Sequence, residues 1–96
     1  MKVSVQSVNF NIDVELVKYI ERKVNNLEKF SDNIVDAEVF LKVEKSSLKE
    51  NKISEVKVRL PGNDLVAKKQ NKSFEEGISL AVDAIKDINF RKRIPK

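Results

Sequence analysis

The stretch from Asp13 to Phe30 constrains the fold most strongly, because it has the apolar period of a long amphipathic helix. Apolar residues recur at spacings of three and four, which places them on one side of a helix with 3.6 residues per turn: Leu16, Val17, Ile20, Val24 and Leu27. Asp13 is a favourable N-cap residue for the first turn. The opposite side carries Lys18, Arg22 and Lys29. The rest of the chain must therefore cover one side of this helix and leave a basic surface on the other.

Two stretches that flank this helix alternate apolar and polar residues, as half-buried strands do. The first is Lys2–Val8, with Val3 and Val5 at strand spacing. The second follows a polar turn and has these apolar residues on one face: Ala37, Val39, Leu41 and Val43. Because a helix separates the two strands, a right-handed crossover that makes them parallel is expected.

A hairpin is predicted in the second half of the chain, after a polar loop over residues 45–51. Its turn is Pro61-Gly62, where glycine tolerates a positive φ. If Leu60 faces Asn63, two apolar pairs lie on the core face and two pairs of opposite charge on the solvent face. The predicted pairs are Val58–Leu65, Val56–Ala67, Arg59–Asp64 and Glu55–Lys68. Residues 68–72 are predicted to connect this hairpin to a second helix.

The second helix is predicted to start at Ser73, because Glu76 three residues later gives the spacing of a capping box. Its buried stripe is Phe74, Ile78, Ala81, Val82, Ile85 and Ile88. Gly77 inside the helix costs about 1 kcal/mol relative to alanine. A close contact with the sheet or the other helix would explain this glycine.

These patterns predict the order β-α-β-β-β-α, an α+β fold with a four-stranded mixed sheet and two helices packed on one face. Residues 1–96 are expected to form a single domain, which at this length buries about 60–65% of the surface of the unfolded chain. No window approaches the roughly 18 apolar residues of a membrane span, and the N-terminus alternates instead of forming an apolar run. We expect a soluble cytoplasmic protein.

The residue types present argue against catalysis. The chain has no cysteine and no histidine, so it lacks thiolate ligands and the commonest general base. The carboxylates that could pair for acid–base chemistry have structural explanations. Asp36, Glu38 and Glu44 are predicted on the solvated face of a strand. Glu75 and Glu76 are predicted in the first turn of a helix, where negative charge is favourable. We therefore expect no enzyme, no cofactor and no metal.

Charge is a more informative signal. The net charge is +4, and it is clustered: residues 52–71 hold five basic and two acidic side chains, and residues 91–96 hold four basic ones. If the first helix packs beside the second, its basic side and Arg91–Arg93 would share one face that suits a phosphate backbone. A soluble module whose charges only serve solubility is the alternative.

The aromatic residues do not form the paired platform on which single-stranded bases commonly stack. Tyr19 and Phe30 lie at the rim of the apolar stripe and are predicted to belong to the core. Phe40 is predicted on the solvated face of the second strand, and Phe90 lies off the stripe of the second helix. Exposure of Phe40 or Phe90 would favour a second hypothesis, a protein-interaction module that uses the strand face around Phe40.

Five segments of the sequence carry a resemblance to a known family: Val39–Lys45, Glu21–Val24, Leu27–Phe30, Pro61–Leu65 and Ser73–Glu76. In this order they resemble the second-strand signature, the first helix (two segments), the last hairpin and the start of the second helix of the ribosome hibernation-promoting factor and ribosome-associated inhibitor A family. The resemblance covers nearly the whole chain. Asn26 stands where a lysine is common in the family, and Ile88-Asn89 replaces a usual Gln-Leu pair.

The resemblance implies a hibernation factor of the short form, active under stress and in stationary phase. Such a factor binds the small ribosomal subunit, through 16S-type rRNA and neighbouring ribosomal proteins, in the channel where mRNA and tRNA lie. Translation is then blocked by occlusion, without chemistry, membrane or small-molecule substrate. The predicted RNA-binding residues are Lys18, Arg22, Lys23, Lys29, Lys86, Arg91, Lys92 and Arg93.

Overall fold

The computed structural model describes residues 1–31, 33–44 and 49–93, the last five of them as backbone alone. The elements follow in the order β1 Lys2–Val8, α1 Val14–Asn25, β2 Asp36–Val43, β3 Lys52–Leu60, β4 Asn63–Asn71 and α2 Phe74–Arg93. The predicted order β-α-β-β-β-α is confirmed. Within the described ranges, neither helix combines the length and apolar character needed to cross a bilayer.

The four strands form one mixed sheet in the order β1-β2-β3-β4. β1 pairs with β2 in parallel, as the crossover rule predicts, and the other two pairings are antiparallel. The predicted hairpin register is confirmed, with Leu60 opposite Asn63 and Val58 opposite Leu65. Gly62 in the turn has a φ of 75°, a conformation in which most side chains are strained.

Helix α1 begins where the sequence predicts but ends earlier. Asp13 Oδ1 accepts a hydrogen bond of 2.7 Å from the backbone N–H of Leu16, as an N-cap does. The α-helix stops at Asn25, and a 3-10 helix follows over Asn26–Lys29. Two successive asparagines have low helix propensity, and a tighter last turn is a common ending for a helix. Leu27 in this turn remains buried.

Strand β4 is longer than predicted. The predicted pair of Glu55 with Lys68 is present, but residues 69–71, which were expected to form a connection, continue the ladder to the pair of Lys52 with Asn71. This end of β4 is polar on both faces, and β4 lies at the edge of the sheet. Charged residues are common on edge strands, where they discourage pairing with other chains.

The core lies between the sheet and the two helices. Helix α2 packs across β3 and β4, and α1 packs beside α2 and against β1. The largest fully buried side chains come from both layers: Ile20, Val24, Val39, Leu41, Val56, Val58 and Ile78. A Cβ atom at Gly77 would lie 2.6 Å from Ser54 Oγ on β3, so the predicted close contact of this glycine is confirmed as a contact with the sheet.

The two helices run in the same direction. Tyr19 Oη, midway along α1, donates a hydrogen bond of 3.2 Å to the carbonyl of Glu75 at the start of α2, and the rings of Phe10 and Phe74 stack at 4.8 Å. Further along, Lys86 Nζ lies 4.7 Å from the centroid of the Phe30 ring. The 3-10 helix that follows α1 therefore lies beside the second half of α2.

Candidate nucleic-acid interface

The predicted basic side of α1 is exposed to solvent. Lys18, Arg22 and Lys29 are exposed, and Lys23 is half-buried at the edge of the apolar stripe. Among the described residues, no carboxylate lies within 4.0 Å of any of these four cations. Their charge is therefore not neutralised by a close ion pair, and it is available to an external anion.

Tyr19 positions two of these cations. Arg22 Cζ lies 5.8 Å and Lys23 Nζ 5.7 Å from the centroid of the Tyr19 ring, within the range of a cation–π interaction. The hydroxyl of the same residue is held by the Glu75 carbonyl at the start of α2. Tyr19 therefore couples the positions of Arg22 and Lys23 to the contact between the two helices.

Lys86 brings a positive charge from α2 to the end of α1. This side chain is half-buried, and its ammonium group lies 4.0 Å from Asp83 Oδ1 as well as close to the Phe30 ring. Lys29 immediately precedes Phe30 in the chain. Lys86 and the end of the 3-10 helix thus contribute to one positively charged region.

The remaining predicted cations, Arg91, Lys92 and Arg93, lie on the last turn of α2, and their side chains are outside the described part of the chain. The backbone is helical through Arg93. At 1.5 Å per residue, the eight residues after Ile85 carry the helix about 12 Å further. These three residues therefore lie beyond Ile85, the last buried residue among the α2 side chains that the structure describes.

The charges of the helix layer follow its polarity. Glu15 lies in the first turn of α1, and Glu75 and Glu76 in the first turn of α2. Basic residues lie toward the C-terminal ends, where the helix dipole favours cations. Because the helices are parallel and offset along their axes, Arg22 lies near the start of α2 with Phe74 and Glu75, whereas the end of the 3-10 helix lies beside Lys86 in the second half of α2.

The other face of the sheet carries charges of both signs. Across its first row, Lys2, Asp36, Arg59 and Asp64 lie side by side on successive strands. Arg59 Nε donates a hydrogen bond of 2.6 Å to Asp36 Oδ1, and its Nη2 donates to Asp36 Oδ2. The Arg59 guanidinium holds the pKa of the Asp36 carboxyl below its usual range. On this open sheet face, centred on β2 and β3, part of the positive charge is therefore neutralised by neighbouring carboxylates.

The aromatic residues differ most from the predictions. Phe30, predicted to belong to the core, is 45% exposed. A 3-10 helix turns about 120° per residue, against 100° for an α-helix, so the turn over Asn26–Lys29 rotates the next side chain by roughly 80–100°. Tyr19 is half-buried and packs against the core, as expected. The pair of asparagines before Leu27 is the sequence signal that would have indicated the change of helix type.

Phe40, the centre of the alternative interface, lies on the open sheet face between Gln6 and Glu55. It is half-buried there, so its exposure is smaller than a solvated strand face predicts. The side chain of Phe90 lies outside the described part of the chain.

Comparison with solved structures shows the same fold in other proteins. The N-terminal domain of Protein Y from Thermus thermophilus matches with a TM-score of 0.83 at 23% sequence identity, over 97% of this chain and 100% of that one. A ribosomal subunit interface protein from Coxiella burnetii matches with a TM-score of 0.83 at 17% identity, over 97% of this chain and 98% of that one. Sequence comparison with curated proteins gives no match. A family model described as sigma 54 modulation protein / S30EA ribosomal protein matches residues 3–88, and the chain therefore belongs to this family.

Proposed function

We propose that this protein associates with the ribosome as a hibernation factor, binding rRNA of the small subunit through the cations of its helix layer. The observation that carries the proposal is the set of cations on the outer side of α1 that have no close carboxylate partner among the described residues. It is supported by membership of the chain in the family described as sigma 54 modulation protein / S30EA ribosomal protein. The structural relative from Coxiella burnetii is named as a ribosomal subunit interface protein, which is consistent with this reading.

The proposed action is occlusion of the channel for mRNA and tRNA. A packed body of 45 × 26 × 19 Å that is held by phosphate contacts excludes any other chain from the space that it fills. The helix layer supplies cations to the rRNA backbone, and no bond is made or broken. Inhibition therefore requires occupancy alone, and the protein is not an enzyme.

Sedimentation with purified small subunits over a range of salt concentrations tests the association. Phosphate contacts release counterions, so neutralising about six phosphates gives a log–log slope of affinity against salt on the order of −4 to −5. Binding that is absent, or that does not change with salt, contradicts the proposal.

Two triple variants with the same net charge test which face binds. Lys18→Ala/Arg22→Ala/Lys29→Ala removes three exposed cations from α1, and Lys2→Ala/Lys42→Ala/Lys68→Ala removes three exposed cations from the open sheet face. Each exposed substitution is expected to change stability within about 0.5 kcal/mol, so both variants should fold. Because each triple lowers the net charge from +4 by three, a non-specific charge effect would weaken both equally.

We expect the α1 triple to weaken binding to small subunits and to flatten the salt slope by about 2–3, with little change for the sheet triple. Translation in a cell-free system should be inhibited by the wild-type protein and the sheet triple, and much less by the α1 triple. The reverse order would favour an interface on the open sheet face around Phe40.

A further inference from the structure

The outer edge of strand β4 has no partner strand in the described part of the chain. β4 is the last strand of the sheet and pairs on its other side with β3. The Arg59 carbonyl on β3 accepts a hydrogen bond of 2.8 Å from the N–H of Val35, which immediately precedes β2. Because the direction of the backbone groups alternates along a strand, Val58 bonds toward β4, and its opposite residue Leu65 bonds back. The residues that alternate with Leu65 therefore point their N–H and C=O groups outward: Asp64, Val66 and Lys68.

This edge is complementary to itself. If a second copy of the chain pairs with it antiparallel, around a two-fold axis at Val66, each Val66 faces its equivalent and each Asp64 faces Lys68 of the other copy. These are the residues whose backbone groups point outward, so each facing pair can exchange two hydrogen bonds. Lysines on an edge strand discourage pairing, but in this register Lys68 meets a carboxylate. The neighbouring Lys69 meets the uncharged Asn63.

Helix α2 has an apolar flank on the same side of the molecule. Leu80 is 42% exposed, and the partly buried Ala84 and Ile88 follow it at intervals of four residues. Lys86 marks the opposite side of α2, because its ammonium lies 4.7 Å from the centroid of the Phe30 ring after α1. At about 100° per residue, Ala84 lies about 160° around the helix from Lys86. The apolar flank therefore faces away from α1, toward the free edge of β4.

The same two-fold axis would bring the α2 helices of the two copies to packing distance. Because α2 packs across β3 and β4, its axis lies about one strand spacing, or about 4.8 Å, from the two-fold axis, and the two helices lie about 10 Å apart. Packed helices are about 8–10 Å apart. Ile85 and Leu65 line the same small cavity, so the adjacent Ala84 lies near the level of the axis. Leu80 of each copy then faces Ile88 of the other.

We propose that the chain forms a homodimer through the free edge of β4, in which two four-stranded sheets join into one. The apolar flanks of the two α2 helices pack together above this junction. The partner is a second copy, because the charge pairs and the apolar flank complement themselves under the same two-fold rotation. The outer sides of α1 lie far from the axis and stay exposed, so the dimer goes beyond the proposed function and does not depend on it.

Sedimentation equilibrium of the full chain over a wide range of concentrations tests the dimer, and two charge reversals test its register. Lys68→Glu sets two pairs of negative charges against each other across the edge, and Asp64→Lys sets two pairs of positive charges. Each variant alone should therefore have a dimer dissociation constant at least about 5-fold higher than that of the wild type. An equimolar mixture of the two variants restores both pairs of opposite charge, and its heterodimer should form within a few-fold of the wild-type affinity.

Single cysteines give a second readout without a change of charge, because the chain contains no cysteine. Val66→Cys places two thiols across the axis at a Cα separation of about 5.5 Å, which a disulfide can bridge. Val8→Cys is the matched control, because Val8 is 46% exposed, against 47% for Val66, and lies on β1 at the opposite edge of the sheet. Under mild oxidation, Val66→Cys should form covalent dimers much faster than Val8→Cys.

Two results would overturn the proposed dimer. One is a chain that stays monomeric at every concentration, with equal cross-linking of the two cysteine variants, which would leave the edge to a strand of another protein. The other is a dimer that is unchanged by Lys68→Glu and by Asp64→Lys, which would place the contact on a different surface. In both cases, salt-dependent binding of the wild type to small subunits would still support the proposed function.

Discussion

At the scale of single residues, the pair of Arg59 with Asp36 shows how position in the sheet selects a partner. On β4, Asp64 lies opposite Arg59, as the predicted hairpin register requires. On β2, the other neighbour of β3, Asp36 also lies opposite Arg59. Arg59 makes its two hydrogen bonds to Asp36, and Asp64 is paired with Lys57 at 3.7 Å. A bidentate pair of this kind fixes geometry as well as charge.

This pair predicts a dependence of stability on pH. The pKa of Asp36 is lowered in the folded state by Arg59, so the pair stabilises the fold above the pKa of the unfolded state, and this contribution is lost as the pH falls through the lower, folded-state pKa. Thermal unfolding should show Asp36→Asn less stable than the wild type at pH 7, with the difference starting to shrink near the unfolded-state pKa of about 4 and disappearing only once the pH has fallen through the lower folded-state pKa. Glu38→Gln on the same strand is the control for removing a negative charge, and an Asp36→Asn deficit that is the same at all pH values would contradict the assignment.

The residue scale also shows what a sequence can and cannot reveal. Asp13 as N-cap and the pairs of the hairpin were predicted correctly, because each follows from short-range spacing. The partner of Arg59 was not predicted correctly, because β3 lies between β2 and β4 in the sheet. Choosing between the carboxylates of Asp36 and Asp64 requires the register of β3 with both neighbouring strands. Phe30 was misplaced for a different reason, the change of helix type that precedes it.

At the scale of elements, the contact of α2 with β3 depends on Gly77. An added Cβ would lie 2.6 Å from Ser54 Oγ, 3.1 Å from Ser54 Cβ and 3.2 Å from Asn71 Oδ1. Ser54 is completely buried, so its side chain has little room to move. In the described part of the chain, Ser54 Oγ and Asn71 Oδ1 are also buried without a hydrogen-bond partner.

We therefore expect Gly77→Ala to destabilise the protein by about 1–3 kcal/mol in urea unfolding, although alanine favours a helix by about 1 kcal/mol. Ser54→Ala alone removes a buried hydroxyl that has no partner and should be close to neutral. In the double variant, the cost of Gly77→Ala should be smaller than in the wild-type background, because the closest atom has been removed. Equal costs in both backgrounds, or a stabilising Gly77→Ala, would contradict this account of the contact.

The existence and order of the elements followed from hydrophobic periodicity, whereas two of their ends did not. Strand β4 continues through Lys68–Asn71, where both faces are polar and the period of two carries no apolar signal. Helix α1 changes to a 3-10 helix at Asn26, although the apolar spacing continues to Leu27. Backbone hydrogen bonding therefore extends β4 where no apolar pattern is present, and it changes the helix type after α1 where the apolar pattern continues.

At the scale of the whole molecule, topology decides where the charges meet. A parallel β1–β2 pair and two antiparallel pairs make α1 and α2 run in the same direction. The exposed cations of α1 consequently lie along the outer side of the helix layer, from the level of the α2 start to the level of Lys86, and the open sheet face carries mixed charge. The predicted fold therefore placed the exposed cations of α1 on the outer side of the helix layer, as the structure shows, and the interface itself and the roles of its individual cations remain proposals.

The salt dependence of binding belongs to this scale, because it depends on the number of phosphates that the whole surface neutralises. Removing three cations from α1 should reduce the slope by about 2–3, and removing three from the open sheet face should leave it unchanged. Sedimentation of both triple variants at several salt concentrations checks this. An equal reduction in both would show that net charge, and not the helix layer, governs the association.

A density map of the protein bound to the small ribosomal subunit tests the central claim most directly. The account predicts that the helix layer faces rRNA, with Lys18, Arg22 and Lys29 within contact distance of phosphates and the open sheet face turned away from them. A map in which the sheet face contacts the rRNA and the outer side of α1 faces solvent would contradict it.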